Sequence, residues 1–212
     1  MPTLTHRKCR TTPVRIDIVS NYNLQLIAHA KLLPGQTKES DAVDIITDVY
    51  YEFLCTSKFN SMEQYLITCG SSAGKELIKL ANITNVPPTF NPFMNENNGG
   101  NGGGGANDDA TSRTLWNPIA KELHNAIMWL ICLYNIDPPN GPLLEIKADL
   151  ETWPNSKPFL SKVKSINTIA KKYTIDSTLT NKINELNFEN LRQFTFSHLN
   201  SILEENDVKS YF

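Results

Sequence analysis

Gly70, Gly74 and Lys75, in the stretch "LITCGSSAGKEL" (66–77), are the residues whose types and spacing come nearest to a chemistry. A glycine pair followed by lysine, between an apolar run and a helix-forming run, is the outline of a phosphate-binding loop. Such a loop needs G-x-x-x-x-G-K-[ST]. Its four-residue spacer lets backbone N–H groups curl around a phosphate, and its final hydroxyl ligates magnesium. Here three residues separate the glycines, and Glu76 stands at the hydroxyl position, where its carboxylate would oppose the phosphate charge. A nucleotide-binding enzyme using Lys75 is therefore the remotest reading. The competing one is a helix that opens at Ser61 with the capping box Ser61/Gln64. It continues at helical spacing through Met62, Tyr65, Leu66, Cys69, Ala73, Leu77, Leu80 and Ala81, with Gly70 and Gly74 as a bend or a close-packing position.

The remaining reactive types are scattered. His6, His29, His124 and His198 form no H-x-x-x-H, H-E-x-x-H or H-x-E pattern. Glu122 and His124 are two apart, which on a helix aims them at different faces. Cys9, Cys55, Cys69 and Cys132 make no C-x-x-C pair, so neither a zinc site nor a disulfide framework is indicated, and a reducing compartment fits. No G-x-S-x-G occurs. Asp44 and Asp48 read as an exposed acidic stripe. Trp116, Trp129 and Trp153 lack interleaved basic residues in the sequence and read as core or interface packing rather than platforms for bases. No catalytic, cofactor-binding or metal-binding residue is assigned, no cofactor is expected, and a protein that is not an enzyme is.

These residues must be positioned by ordinary globular elements. The chain has 212 residues, 40% of them hydrophobic and 20% charged, with a formal net charge of −2. That balance disfavours nucleic acid as a partner. No apolar run reaches the roughly 18 residues needed to span a bilayer; the longest is "AIMWLICLY", 126–134. The start lacks the apolar stretch of a secretory signal, and a cytoplasmic location is expected.

Four segments organise the chain. Residues 1–12 read as a basic flexible N-terminus (Arg7, Lys8, Arg10), and 13–84 as a helical N-terminal part. In it, "SDAVDIITDVYYEFLC" places Val43, Ile46, Val49, Tyr50, Phe53 and Leu54 on one helix face and Asp41, Asp44, Asp48 and Glu52 on the other. "PVRIDIVSNYNLQLIAHAKLLPG" reads as a short extended start passing into a helix that ends before Pro34. Residues 85–113, rich in Pro and then Asn/Gly, form a flexible loop or linker. Residues 114–212 form a helical C-terminal part, continuous with 13–84 in one domain or separate from it. Its first helix carries Asn117 as N-cap and Pro118 at the first helical position, and its apolar second half should be buried on most sides. The expected fold class is all-α, a helical bundle or solenoid-like array with a long disordered Asn/Gly loop.

One set of segments resembles a known family. In "KELHNAIMWLICLYN", Glu122, Leu123, Asn125, Ile127, Leu130, Leu133 and Tyr134 match a helix of the Alix-type Bro domains. "HRKCRTTPVRIDIVSNY" is similar to that family's opening, "SMEQYLITC" to its L-x-x-Y-Y-x-Q-L helix, and "VPPTFNPF" to an extended segment, so that residues 7–135 are covered. The resemblance implies a banana-shaped helical scaffold whose concave groove takes the C-terminal helix of an ESCRT-III subunit. The groove residues lie beyond the matched part and none is assigned. The expected function is a non-enzymatic adaptor that binds a partner's amphipathic helix in endosomal sorting, with any peripheral membrane association arising through the partner. The alternative is an all-α structural subunit of a larger complex unrelated to ESCRT.

Overall fold

The computed structural model describes residues 4–84, 86–93, 116–134, 136, 141–175 and 177–212. The chain divides into two compact units, Met1–Asn91 and Pro92–Phe212. The expected all-α class is not what forms: the first unit is built on β-sheet, and the helical N-terminal part assigned to 13–84 is a mixed α/β unit.

Its elements are β1 (Thr5–His6), α1 (Thr12–Asn21), β2 (Tyr22–Lys31), β3 (Lys38–Glu39), β4 (Ile45–Ile46), β5 (Val49–Ser57), β6 (Gln64–Gly70) and α2 (Ser71–Leu80). The main sheet has the order β1-β6-β5-β2, with β3 and β4 in a separate two-stranded ribbon. β1 runs parallel to β6, and the other pairs in the main sheet are antiparallel. β5 carries aromatic and apolar residues almost without interruption, and Tyr50 through Cys55 are all buried. A strand buried on both faces loses its polar alternation, so the helical periodicity read over "SDAVDIITDVYYEFLC" is coincidental. Glu52, placed on the exposed acidic stripe, is 1% exposed. Asp44 and Asp48 share no helix, because the segment before Val49 is ribbon and turn.

Two further expectations reverse. "PVRIDIVSNYNLQLIAHAKLLPG" is helix first and strand second. Pro13 sits in the first turn of α1, where its missing N–H is harmless, and α1 passes without a loop into β2. The helix read from Ser61 is instead a turn followed by β6, so the Ser61/Gln64 box caps nothing, and "SMEQYLITC" is not the helix its family likeness implied. The segment from Thr5 is also part of the sheet: Thr5 and His6 pair with Tyr65 and Leu66, and Cys9 is fully buried.

α1 and α2 cover one sheet face. Ile18, Ala73 and Leu77 from the helices meet Tyr22, Tyr51, Phe53, Cys55, Tyr65, Ile67 and Cys69 from the strands. Arg15 ties this layer together, donating to the carbonyls of Cys9 and Arg10 at 2.8 Å each and pairing with Glu76 of α2. Asp41, 3% exposed, does the same at the sheet end. Its Oδ2 accepts from the Thr68 N–H at 2.9 Å and lies 2.8 Å from His6 Nδ1, while its own N–H donates to the Thr68 carbonyl.

The second unit is helical: α3 (Pro118–Tyr134), α4 (Pro142–Thr152), α5 (Leu160–Thr174), α6 (Leu179–Asn184) and α7 (Ser197–Glu204). α3 is central, as its composition indicates; every residue from Ala126 to Cys132 is buried. Asn117 caps it, its side-chain oxygen accepting from the Ile119 N–H at 3.0 Å. The loop reading of 85–113 lies for the most part outside the described residues. Among the described residues no helix is long and apolar enough to cross a membrane.

Candidate interaction site

The stretch around Gly70 and Lys75 does have the order strand, glycine, helix, but it lacks the loop. α2 begins at Ser71, immediately after the N-cap Gly70, so no loop stands between strand and helix to wrap a phosphate. Gly74 is buried inside α2 because Tyr51 lies against it: a Cβ built there would stand 2.4 Å from Tyr51 Cγ. Lys75 is exposed on the helix surface.

Each histidine has a partner. His6 meets Asp41, and His29 hydrogen-bonds Thr89 at 2.8 Å and stacks on Tyr51. Glu122 and His124 diverge as their spacing requires. Glu122 reaches α7, where Oε2 accepts from the Leu199 N–H at 3.1 Å and Oε1 lies 2.6 Å from His198 Nδ1 and 3.3 Å from Ser197 Oγ. Serine, histidine and glutamate are triad residue types, but here both Ser197 and His198 bond the same carboxylate oxygen. The serine–histidine link that would activate a nucleophile is missing. The carboxylate is a cap for α7.

His124 reaches α4. Its Nε2 lies 3.1 Å from Glu151 Oε1, which also accepts from Lys147 Nζ at 2.7 Å. Burial pushes the His124 pKa down against the pull of Glu151. Burial pushes Glu151 up, yet the His124 hydrogen bond and the Lys147 charge leave it below the usual carboxylate range. Nδ1 of His124 is enclosed with no hydrogen-bond partner among the described residues. Neither ring nitrogen is open to a substrate, so this network holds helices together. Among the described residues no group of His, Cys, Asp and Glu could hold a metal ion.

The tryptophans separate. Trp129 is fully buried in the core of the second unit. The chain next to Trp116 meets the chain next to Trp153 where α3 begins and α4 ends: the Asn117 N–H donates to the Pro154 carbonyl at 2.8 Å. Trp153 is 66% exposed and Phe159 73%, one at each end of the loop that carries Pro154 and Pro158. The basic residues missing from the local sequence are supplied partly by the fold. Lys121 Nζ lies 4.9 Å from the Trp116 ring centroid and Lys162 Nζ 5.6 Å from that of Phe159, with Lys157 exposed between the aromatics. Burial lowers the Lys121 pKa, with Arg192 adding to the effect. Phe159 is the N-cap of α5 and offers no side-chain cap, so the helix presents uncapped N–H groups to the same patch.

Trp116, Trp153, Phe159, Lys121 and Lys157 thus mark an aromatic end of the helical unit with lysines beside it, Lys162 being paired with Asp149 at 2.6 Å. The one clue in the sequence is "WPNSKPF", two prolines bracketing a lysine between aromatics; the Lys121 and Trp116 side needs the helix packing. Compared with known proteins, the chain matches no family model, no curated protein and no solved structure.

Proposed function

We propose that the protein is a non-enzymatic interaction module whose helical unit binds an amphipathic helix of a partner protein at the Trp153–Phe159 end. The exposure of Trp153 and Phe159 on one short loop carries this reading. Large aromatics left in water beside lysines are the composition of a binding hot spot rather than of a solvated surface. The apolar stripe of the incoming helix rests on Trp153 and Phe159, and its acidic residues face Lys157, Lys121 and the start of α5. An ESCRT-III C-terminal helix is one such partner and is proposed on the family likeness alone.

The test is isothermal titration calorimetry with synthetic acidic amphipathic helices, the C-terminal helices of ESCRT-III subunits among them. Binding is expected, with Trp153→Ala or Phe159→Ala weakening it at least about tenfold. If those helices bind equally well to both variants, or no acidic helix binds at micromolar concentration, the reading fails. Exposed Phe59 and Met62, 83% and 89% accessible at the tip of the β5–β6 hairpin, favour a second reading in which the protein is a subunit of a larger assembly.

A further inference from the structure

The outer edge of β2 is the feature that nothing above uses. β2 ends the main sheet, and the direction of its backbone groups follows from the hydrogen bonds of the neighbouring strands. The Ser57 N–H donates to Glu63, toward β6. Antiparallel ladders alternate, so Cys55 and Phe53 also face β6, while Thr56 and Leu54 face β2. Their partners Asn23 and Gln25 therefore bond inward, and Leu24 and Leu26 direct N–H and C=O outward. Beyond the irregularity between Leu26 and Ala28 the outward positions are His29 and Lys31. These two are taken: the Lys31 N–H donates to the Phe90 carbonyl, and the Phe90 N–H donates to the His29 carbonyl, at 2.9 Å each. The chain covers the upper half of this edge with its own backbone. Among the described residues nothing pairs with the lower half.

Apart from the irregularity at its end, that lower half is guarded by neither charge nor proline. From Tyr22 to Ala28 the sequence is "YNLQLIA", without a charge or a proline, whereas natural edges are blunted by lysine, proline or a covering segment. Asn23 and Gln25 are exposed, and Leu24 and Leu26 are partly so. The run Leu24–Gln25–Leu26 is also symmetric about Gln25.

We propose that a second copy of this chain pairs antiparallel with β2 about a two-fold axis through Gln25. Each Leu24 lies opposite the other copy's Leu26, and the two residues exchange N–H···O=C bonds on both sides of the axis. All four leucines fall on the face of the sheet that α1 and α2 cover, extending that core across the junction. Gln25 faces its own counterpart in a non-hydrogen-bonded pair, the position where cross-strand side chains come closest. Only a neutral residue, or opposite charges, can be accommodated there. This pairing is independent of the aromatic end of the helical unit.

The test uses the full chain and sedimentation equilibrium from low to several hundred micromolar at low ionic strength. Wild type is expected to dimerise reversibly. Gln25 is exposed, so Gln25→Lys and Gln25→Glu should fold normally. Each alone should self-associate at least about tenfold more weakly because like charges then meet on the axis. An equimolar mixture of the two should recover association as a heterodimer. In hydrogen exchange, the Leu24 and Leu26 amides of wild type should slow as concentration rises. A wild type monomeric at every concentration overturns the proposal. So does a dimer that neither charge weakens and the mixture does not restore, because that dimer uses another surface.

Discussion

At Gly74 the absence of a side chain is a packing requirement. A Cβ there would stand 2.4 Å from Tyr51 Cγ and 2.9 Å from Tyr51 Cβ, both close to the rigid base of the tyrosine, so helix and strand would have to separate. Gly74→Ala should cost about 1–3 kcal/mol in urea unfolding. Gly70→Ala should cost far less, since its Cβ would meet Ile46 Cγ1 at an ordinary 3.8 Å. Comparable losses at both sites would refute the close-packing account. His124 is the second residue whose surroundings set a measurable property. Burial lowers its folded-state pKa below the unfolded value near 6.5. The unfolded chain therefore takes up the proton first as pH falls. The stability this group contributes is present above about pH 6.5 and is lost as pH drops toward the lowered folded value. Urea midpoints measured from about pH 7.5 down to about pH 5.5 should fall more steeply for wild type than for His124→Gln. A parallel fall in the two proteins would show that His124 titrates as freely folded as unfolded. The close packing at Gly74 was legible as one of two readings of a mid-helix glycine. The His124–Glu151 pair, joining residues 27 apart, was not, because nothing in the local sequence of either residue names the other.

Among the elements, legibility followed the solvent. α3, α4, α5 and α7 each keep a polar side or a start signal, such as Pro118 or the lysines of α5, and the helical period shows through. β5 and β6 have no such side. Their residues Tyr50–Cys55 and Tyr65–Cys69 are buried without interruption, so alternation is absent and any period can be fitted to them. The β-branched and aromatic content of "VYYEF" is the physical signal of a strand there. The Trp153–Phe159 loop sits between these cases: its prolines mark it as a turn, but the lysine over Trp116 comes from another helix. α7 shows how an element can depend on a distant one. Its N-cap Phe196 offers no side-chain acceptor, and Glu122 of α3 serves instead, accepting from the Leu199 N–H while holding His198 and Ser197. Glu122→Ala should leave a buried N–H unpaired and cost about 1–3 kcal/mol, with faster amide exchange at Leu199 and the turn after it. Unchanged exchange in α7 would mean that the cap is dispensable.

For the whole chain, four cysteines divided between two compact units make a built-in probe of how the molecule comes apart. Cys9, Cys55 and Cys69 are fully buried in the α/β unit and Cys132 is 6% exposed in the helical unit. Burial lifts the Cys55 thiol to about 12. The hydrogen bond between Cys69 and Cys9 raises Cys69 and lowers Cys9. The shift of Cys9 is toward the reactive thiolate, but Cys9 is fully buried, and accessibility governs the rate in the native state. No thiol should therefore react with an aromatic disulfide reagent in native buffer, and all four should do so in denaturant. The first unit has a core around Tyr51, Phe53 and Ile67, and the second buries α3. Cys132 should accordingly become reactive at a denaturant midpoint different from the one shared by the other three, as read by mass spectrometry of labelled peptides. Release of all four at one midpoint would mean that the chain unfolds as a single cooperative body. Fast labelling of Cys9 in native buffer would instead mean that the short β1 edge opens on its own, the local fraying expected of a two-residue strand.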